Sequence, residues 1–155
     1  MSSRLFIEIR EKRALAYSVG SYAQSYRDVG GFIVHAAVDN ERVDSCIEGV
    51  LHQLDRMRQE PVSETELQKV KEYHKGHLLL ALESSRAVAA WGGRQELLLD
   101  RIYTVDEVLE AIDAVTPQQV QDLAQRLFTN ERLNLSLVGP FEDSDEHYRT
   151  LLTLG

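Results

Sequence analysis

Three helix starts dominate this 155-residue chain after residue 60: Ser63 with Glu66, Thr104 with Glu107, and Thr116-Pro117 with Gln119. In each, a hydroxyl stands three residues ahead of a carboxylate or amide. The first side chain can accept from the later residue's N–H, while the later side chain reaches back to the first. The third start also has proline at the first helical position, where its missing N–H costs nothing. This region must therefore fold as a series of separate helices. Apolar spacing agrees: Val105, Val108, Leu109 and Ile112 share one face, and Val120, Leu123, Ala124 and Leu127 share another. The start at Ser63 opens a long helix expected to run to about Ala90. Trp91-Gly92-Gly93 is expected to interrupt it, with a short helix over 95–99 following.

The first half reads differently. Ser2 or Ser3 caps a short helix over 4–13 that carries Leu5, Phe6 and Ile9 on one side. Residues 16–26 turn to Tyr, Val, Ser and Gly, the chemistry of a strand. Arg27-Asp28-Val29-Gly30-Gly31 is a turn, and 32–38 is a second strand with Phe32, Val34, Ala36 and Val38 on one face. The two form an antiparallel hairpin. Asp39 or Asn40 then caps a helix whose stripe is Val43, Ile47, Val50, Leu54 and Met57, closed by Glu60-Pro61. After the later helices, Leu133, Leu135 and Leu137 alternate with polar residues as a half-buried strand ending at Gly139-Pro140. Residues 141–155 read as an acidic tail. This order predicts an α+β fold, with helices packed on one face of an antiparallel sheet. Three strands are few for such a core. With a helix cap at the second residue, the expectation is a domain over 1–140 that is incomplete on its N-terminal side.

Composition excludes several classes. At 43% hydrophobic and 27% charged residues the chain is globular rather than disordered. Apolar runs such as 78–82 are far shorter than the ~20 residues of a membrane span, and no secretory signal pattern is visible. The formal charge of −8 argues against nucleic acid and anionic membrane as main partners. One cysteine cannot form an internal disulfide, so the expected setting is reducing, a bacterial-type cytoplasm.

No complete catalytic motif is present: no Cys-x-x-Cys, Gly-x-Ser-x-Gly, phosphate loop or dinucleotide fingerprint. His35, His52, His74, His77 and His147 form neither His-Glu-x-x-His nor its inverse. His74 and His77, with Glu72 nearby, have the spacing of the first part of a zinc site but lack a third ligand at a defined spacing. They are read as ordinary helix residues, so no metal site is expected. Cys46 falls on the apolar stripe and reads as a buried, inert thiol. Trp91 reads as a core anchor, and Gly30-Gly31 as hairpin chemistry. The informative stretch is Arg10-Glu-Lys-Arg-Ala-Leu-Ala-Tyr17. Arg10 ends a helix, Tyr17 begins a strand, and the chain reverses between them. A guanidinium and a phenol brought to one end of the sheet would offer donors to a carbonyl oxygen or an oxyanion. By spacing alone, a surface Arg and a core-capping Tyr are the favoured reading.

That stretch, with Met-Ser-Ser-Arg-Leu-Phe ahead of it, resembles the second-half domain of the pitrilysin and mitochondrial processing peptidase family of inverzincin metallopeptidases. Gly92-Gly93-Arg94-Gln95-Glu96, the Thr104 cap, Ile112-Asp-Ala-Val-Thr116 and the closing Val138-Gly139-Pro140 resemble later stretches of the same domain, in the same order. The resemblance covers residues 2–140. It implies two related halves closing around an extended peptide. One half holds zinc through His-x-x-Glu-His and a downstream Glu, and the other supplies an Arg and a Tyr. Residue by residue, it assigns those two roles to Arg10 and Tyr17. Many relatives carry Gly at the position of Ala14, so Ala there would add strain if the turn needs positive φ.

The resemblance thus implies the zinc-free half of a zinc metalloendopeptidase. This chain would hold no cofactor and would be inactive alone; zinc would lie in a partner half, in the same or another chain. The fragment is expected to form a homo-oligomer. The alternatives are a non-catalytic assembly or scaffold subunit of the same family, and an unrelated small-molecule-binding α+β domain.

Overall fold

The computed structural model describes residues 3–141 and 145–155, so Ser2, offered above as a helix cap, lies outside the described residues. The chain divides into two compact units. The first runs to Glu60 and resumes at Gln121; the second is Pro61–Val120.

In the first unit, the Ser3 hydroxyl accepts the Phe6 N–H at 3.2 Å. The chain then winds as a π-helix, Phe6–Lys12, whose Ile9 is wholly buried. Strands β1 (Ala16–Ser25) and β2 (Gly30–Val38) pair antiparallel. The Tyr26 N–H donates to the Val29 carbonyl at 2.8 Å and closes their loop. Asp39 accepts the Glu41 N–H at 3.1 Å and starts a single 3-10 turn, Asn40–Arg42, which leads straight into α1 (Val43–Gln59). The expected stripe is the core: Val43, Ile47, Leu51 and Leu54 pack with Ala124, Phe128 and Leu154. Cys46 turns to a second cluster with Leu5, Ile9 and Ala16. The α+β class with an antiparallel sheet is therefore correct.

Two expectations for this unit fail. Residues 133–138 are not a strand. Among the described residues the sheet is β1 and β2 alone, and an extended segment without a neighbour makes no ladder. Leu133 and Leu137 rest half-buried on the core while Leu135 stays exposed, so the alternation is only partly used. Nor is 141–155 a featureless tail. Asp145–Leu151 forms α6, and Phe141, Tyr148, Leu151, Leu152 and Leu154 return to the core. Their apolar spacing is irregular because a short helix and an extended end bury residues by different periods.

The second unit is helical: α2 (Glu64–Ala81), α3 (Ser85–Leu99), α4 (Val105–Ala114) and the start of α5 (Pro117–Leu127). Ser63 accepts the Glu66 N–H at 3.2 Å. The Thr104–Glu107 box closes in both directions, and Thr116 with Gln119 does the same. Lys75 ties α2 to α4 through Asp113 at 2.9 Å, and Lys71 donates to the Asp113 carbonyl at 2.8 Å. The break expected at Trp91-Gly92-Gly93 lies instead between Ala81 and Ser85, where Ser84 caps α3 by accepting the Ala87 N–H. An interior glycine costs a helix only about 1 kcal/mol, so α3 runs through the pair without interruption. Leu82 through Ser84 end one helix and cap the next by their own hydrogen bonds. The separate helix over 95–99 is simply the end of α3.

Candidate functional site

Arg10 and Tyr17 flank a turn whose geometry is unusual at two points. The Leu15 N–H donates to the Ile9 carbonyl at 2.8 Å, so the chain leaves the π-helix in one tight reversal. Ala14, inside that reversal, has φ 49°. For a residue with a Cβ this left-handed conformation costs roughly 1–2 kcal/mol, the strain foreseen from alanine standing at a glycine position. The Ala14 carbonyl accepts from a guanidinium nitrogen of Arg42 at 2.6 Å. A charged donor on that carbonyl favours the turn and works against the strain.

Three residues later the sheet register slips. Ala16 faces Val38 and Ser18 faces Ala37, so Tyr17 is the extra residue of a β-bulge. Bulges re-aim a side chain out of the ladder. Tyr17 is 84% exposed, and its hydroxyl has no hydrogen-bond partner among the described residues. The core-capping reading of Tyr17 is therefore wrong. Arg10 lies on the exposed side of the π-helix, its guanidinium 4.9 Å from the centre of the Phe6 ring. Arg10 and Tyr17 make no direct contact among the described residues. The turn holds them on adjoining elements, each with its polar head open to solvent.

Close packing supports the turn from below. A Cβ on Gly49 of α1 would stand 2.7 Å from Ile9 Cδ1 and 2.8 Å from an Arg13 guanidinium nitrogen. Only glycine lets the π-helix approach α1 this closely. Cys46 lies beside Ala16, and burial pushes its thiol up, with Arg13 opposing weakly. A protonated, buried thiol is a packing residue.

Elsewhere the polar clusters are already engaged. Glu72 accepts from Gln68 and pairs with Lys75. The His77 ring lies against Tyr73, 4.3 Å between centres, and His74 meets the same ring edge-on. No group of three or more His, Cys, Asp or Glu side chains able to hold a metal occurs among the described residues. Trp91 is only half-buried and belongs to neither apolar cluster, so it is not the core anchor expected of it. Sequence reasoning missed Arg42 and Gly49, which act on a turn far away in the chain and leave no local pattern.

Residues 1–73 match the family described as the peptidase M16 inactive domain. Zinc protease YmxG of Bacillus subtilis is 37% identical over 140 residues, covering 90% of this chain and 34% of that protein. The chain belongs to the M16 peptidase family. A zinc protease of Streptomyces coelicolor is 35% identical over 143 residues, 92% of this chain and 31% of that one. The crystal structure of a protease from Helicobacter pylori shares this fold with a TM-score of 0.71 at 19% identity, over 81% of this chain and 30% of its own. The chain thus spans about a third of the length of the curated relatives it matches. No helix among the described residues is long and apolar enough to cross a membrane.

Proposed function

We propose that this M16 inactive domain binds extended peptide together with a zinc-binding half and supplies Arg10 and Tyr17 to the joint active site of a metalloendopeptidase. The observation that carries the reading is Tyr17: a phenol on a β-bulge, 84% exposed, directly after a residue pair held by a strained turn. Strain and bulges gather where a side chain must be presented rather than packed. The zinc of the other half supplies activated water. This chain's share is donor chemistry. The Tyr17 hydroxyl and the Arg10 guanidinium hold the scissile carbonyl and the oxyanion that develops on it. The peptide pairs through its main chain with a free sheet edge, which gives affinity with loose sequence preference.

The test is made in the enzyme assembled from both halves. Tyr17→Phe keeps the ring and removes one donor, so turnover falls on the order of 10²–10³-fold. Arg10→Lys keeps the charge but loses the planar donor fork, and cleavage weakens as well. Zinc content and circular dichroism stay at the parent values in both. Parent-rate cleavage by both variants with normal zinc content sinks the assignment and leaves Arg10 and Tyr17 as structural residues.

A further inference from the structure

The Tyr17 bulge is not held by its neighbours in sequence alone. Ala14 sits at φ 49°, a conformation it would leave if free. What holds it comes from 28 residues away: a guanidinium nitrogen of Arg42, 2.6 Å from the Ala14 carbonyl. Arg42 is itself fixed. It closes the 3-10 turn by donating its N–H to the Asp39 carbonyl at 2.9 Å, and α1 begins at the next residue. The opposite side of the turn is equally fixed, with Ile9 wholly buried against Gly49 and its carbonyl bonded to the Leu15 N–H. Ala16, next to Tyr17, is buried with Leu5, Ile9 and Cys46.

From this we infer that Arg42 is the positioning residue for Tyr17: by gripping the Ala14 carbonyl it keeps the turn in its left-handed form and sets where the phenol is presented. This rests on the proposed catalytic part of Tyr17. The guanidinium does not touch substrate; it transmits the fixed position of the start of α1 to the bulge. Alanine at 14 makes the grip necessary, since glycine would adopt the same φ without it.

The experiment uses Arg42→Met in the enzyme assembled from both halves, beside Tyr17→Phe. A misplaced catalytic group costs up to about 10²-fold, so kcat should fall by about 10- to 100-fold while KM and zinc content hold. Adding Ala14→Gly to Arg42→Met should restore a large part of kcat. The melting temperature of Arg42→Met, and its circular dichroism at the assay temperature, should hold at parent values, so that the loss repaired is one of position and not of folded enzyme. In this chain by itself, Arg42→Met should speed amide hydrogen exchange at Leu15. An impaired Tyr17→Phe beside a parent-rate Arg42→Met overturns the positioning role alone. So does a kcat loss in Arg42→Met that Ala14→Gly leaves unrepaired. Parent-rate Tyr17→Phe overturns the catalytic reading and the positioning role with it, while Leu15 exchange still reports whether the grip exists.

Discussion

Helices α1 and α2 are nearly equal in length, 17 and 18 residues, yet they are held in opposite ways. Helix α1 buries Val43, Cys46, Ile47, Gly49, Leu51, Gln53 and Leu54, against segments drawn from both ends of the chain. Helix α2 buries Leu67 alone, and α3 buries Gln95 alone. Leu79, Leu80, Leu97 and Leu99 remain on the surface. The first unit is therefore a packed body, whereas the helices of the second rest on caps, surface ion pairs and backbone hydrogen bonds. The candidate site sits on the packed side. A strained turn can persist there because its surroundings over-determine it.

The largest expected difference follows directly. Leu51 is 7% exposed and Leu80 is 65% exposed. Leu51→Ala should cost about 2–5 kcal/mol, from lost burial and the cavity left behind. Leu80→Ala should stay within about 0.5 kcal/mol. Urea unfolding followed by circular dichroism measures both. Equal losses would break the comparison by showing that Leu80 is covered in solution.

Glycine gives a sharper version, because the same substitution should change sign between the units. Gly49→Ala forces a Cβ to 2.7 Å from the locked Ile9 side chain. Overpacking of that kind costs about 1–3 kcal/mol, more than the helix propensity gained. Gly92 in α3 has nothing within 4 Å of the same position, so Gly92→Ala should stabilise by roughly 0.5–1 kcal/mol. Melting temperatures moving in the same direction would refute the distinction.

The same division explains what the sequence revealed. The caps at Ser63, Thr104 and Thr116 are local chemistry between residues three apart, and each was readable. The α1 stripe was equally plain, since one helix face collects the core. Ala14 was legible as a strained position only through the family resemblance, in which many relatives carry glycine there. Partnership across the chain was not legible. Nothing near Leu133 tells that its extended segment lacks a ladder, and nothing near residue 141 tells that Leu154 returns to the core. Trp91-Gly92-Gly93 misled because glycine weakens a helix without having to end it. At the candidate site, Arg10 and Tyr17 came from a motif. Their mounting came only from three-dimensional contacts: the bulge, Gly49 and the Arg42 bond.

The smallest effect concerns acid, and it separates the two kinds of support by proton uptake. Glu107 accepts the Thr104 N–H at 2.7 Å and an Arg101 guanidinium N–H at 2.6 Å. The backbone bond first, then Thr104's hydroxyl and Arg101, hold its carboxyl below the usual range. A group whose folded pKa is depressed stabilises fully above its unfolded value, ~4.3 for Glu, and loses that contribution as pH falls through the folded value. The start of α4 should therefore loosen on acidification below about pH 4. Glu107→Gln retains an acceptor for the Thr104 N–H but has no proton to take up, so its acid limb should be shallower while neutral stability changes little. Glu8→Gln is the counterpart in the packed unit, where Lys12 holds the Glu8 carboxyl low by a side-chain hydrogen bond. Amide exchange at Thr104 and Leu15, followed from pH 6 to pH 3, reads the two places separately. Loss of protection should come first at Thr104, because only there does the titrating carboxylate itself bond the backbone. Coincident loss, or an unchanged acid limb in Glu107→Gln, would place the decisive proton on another group.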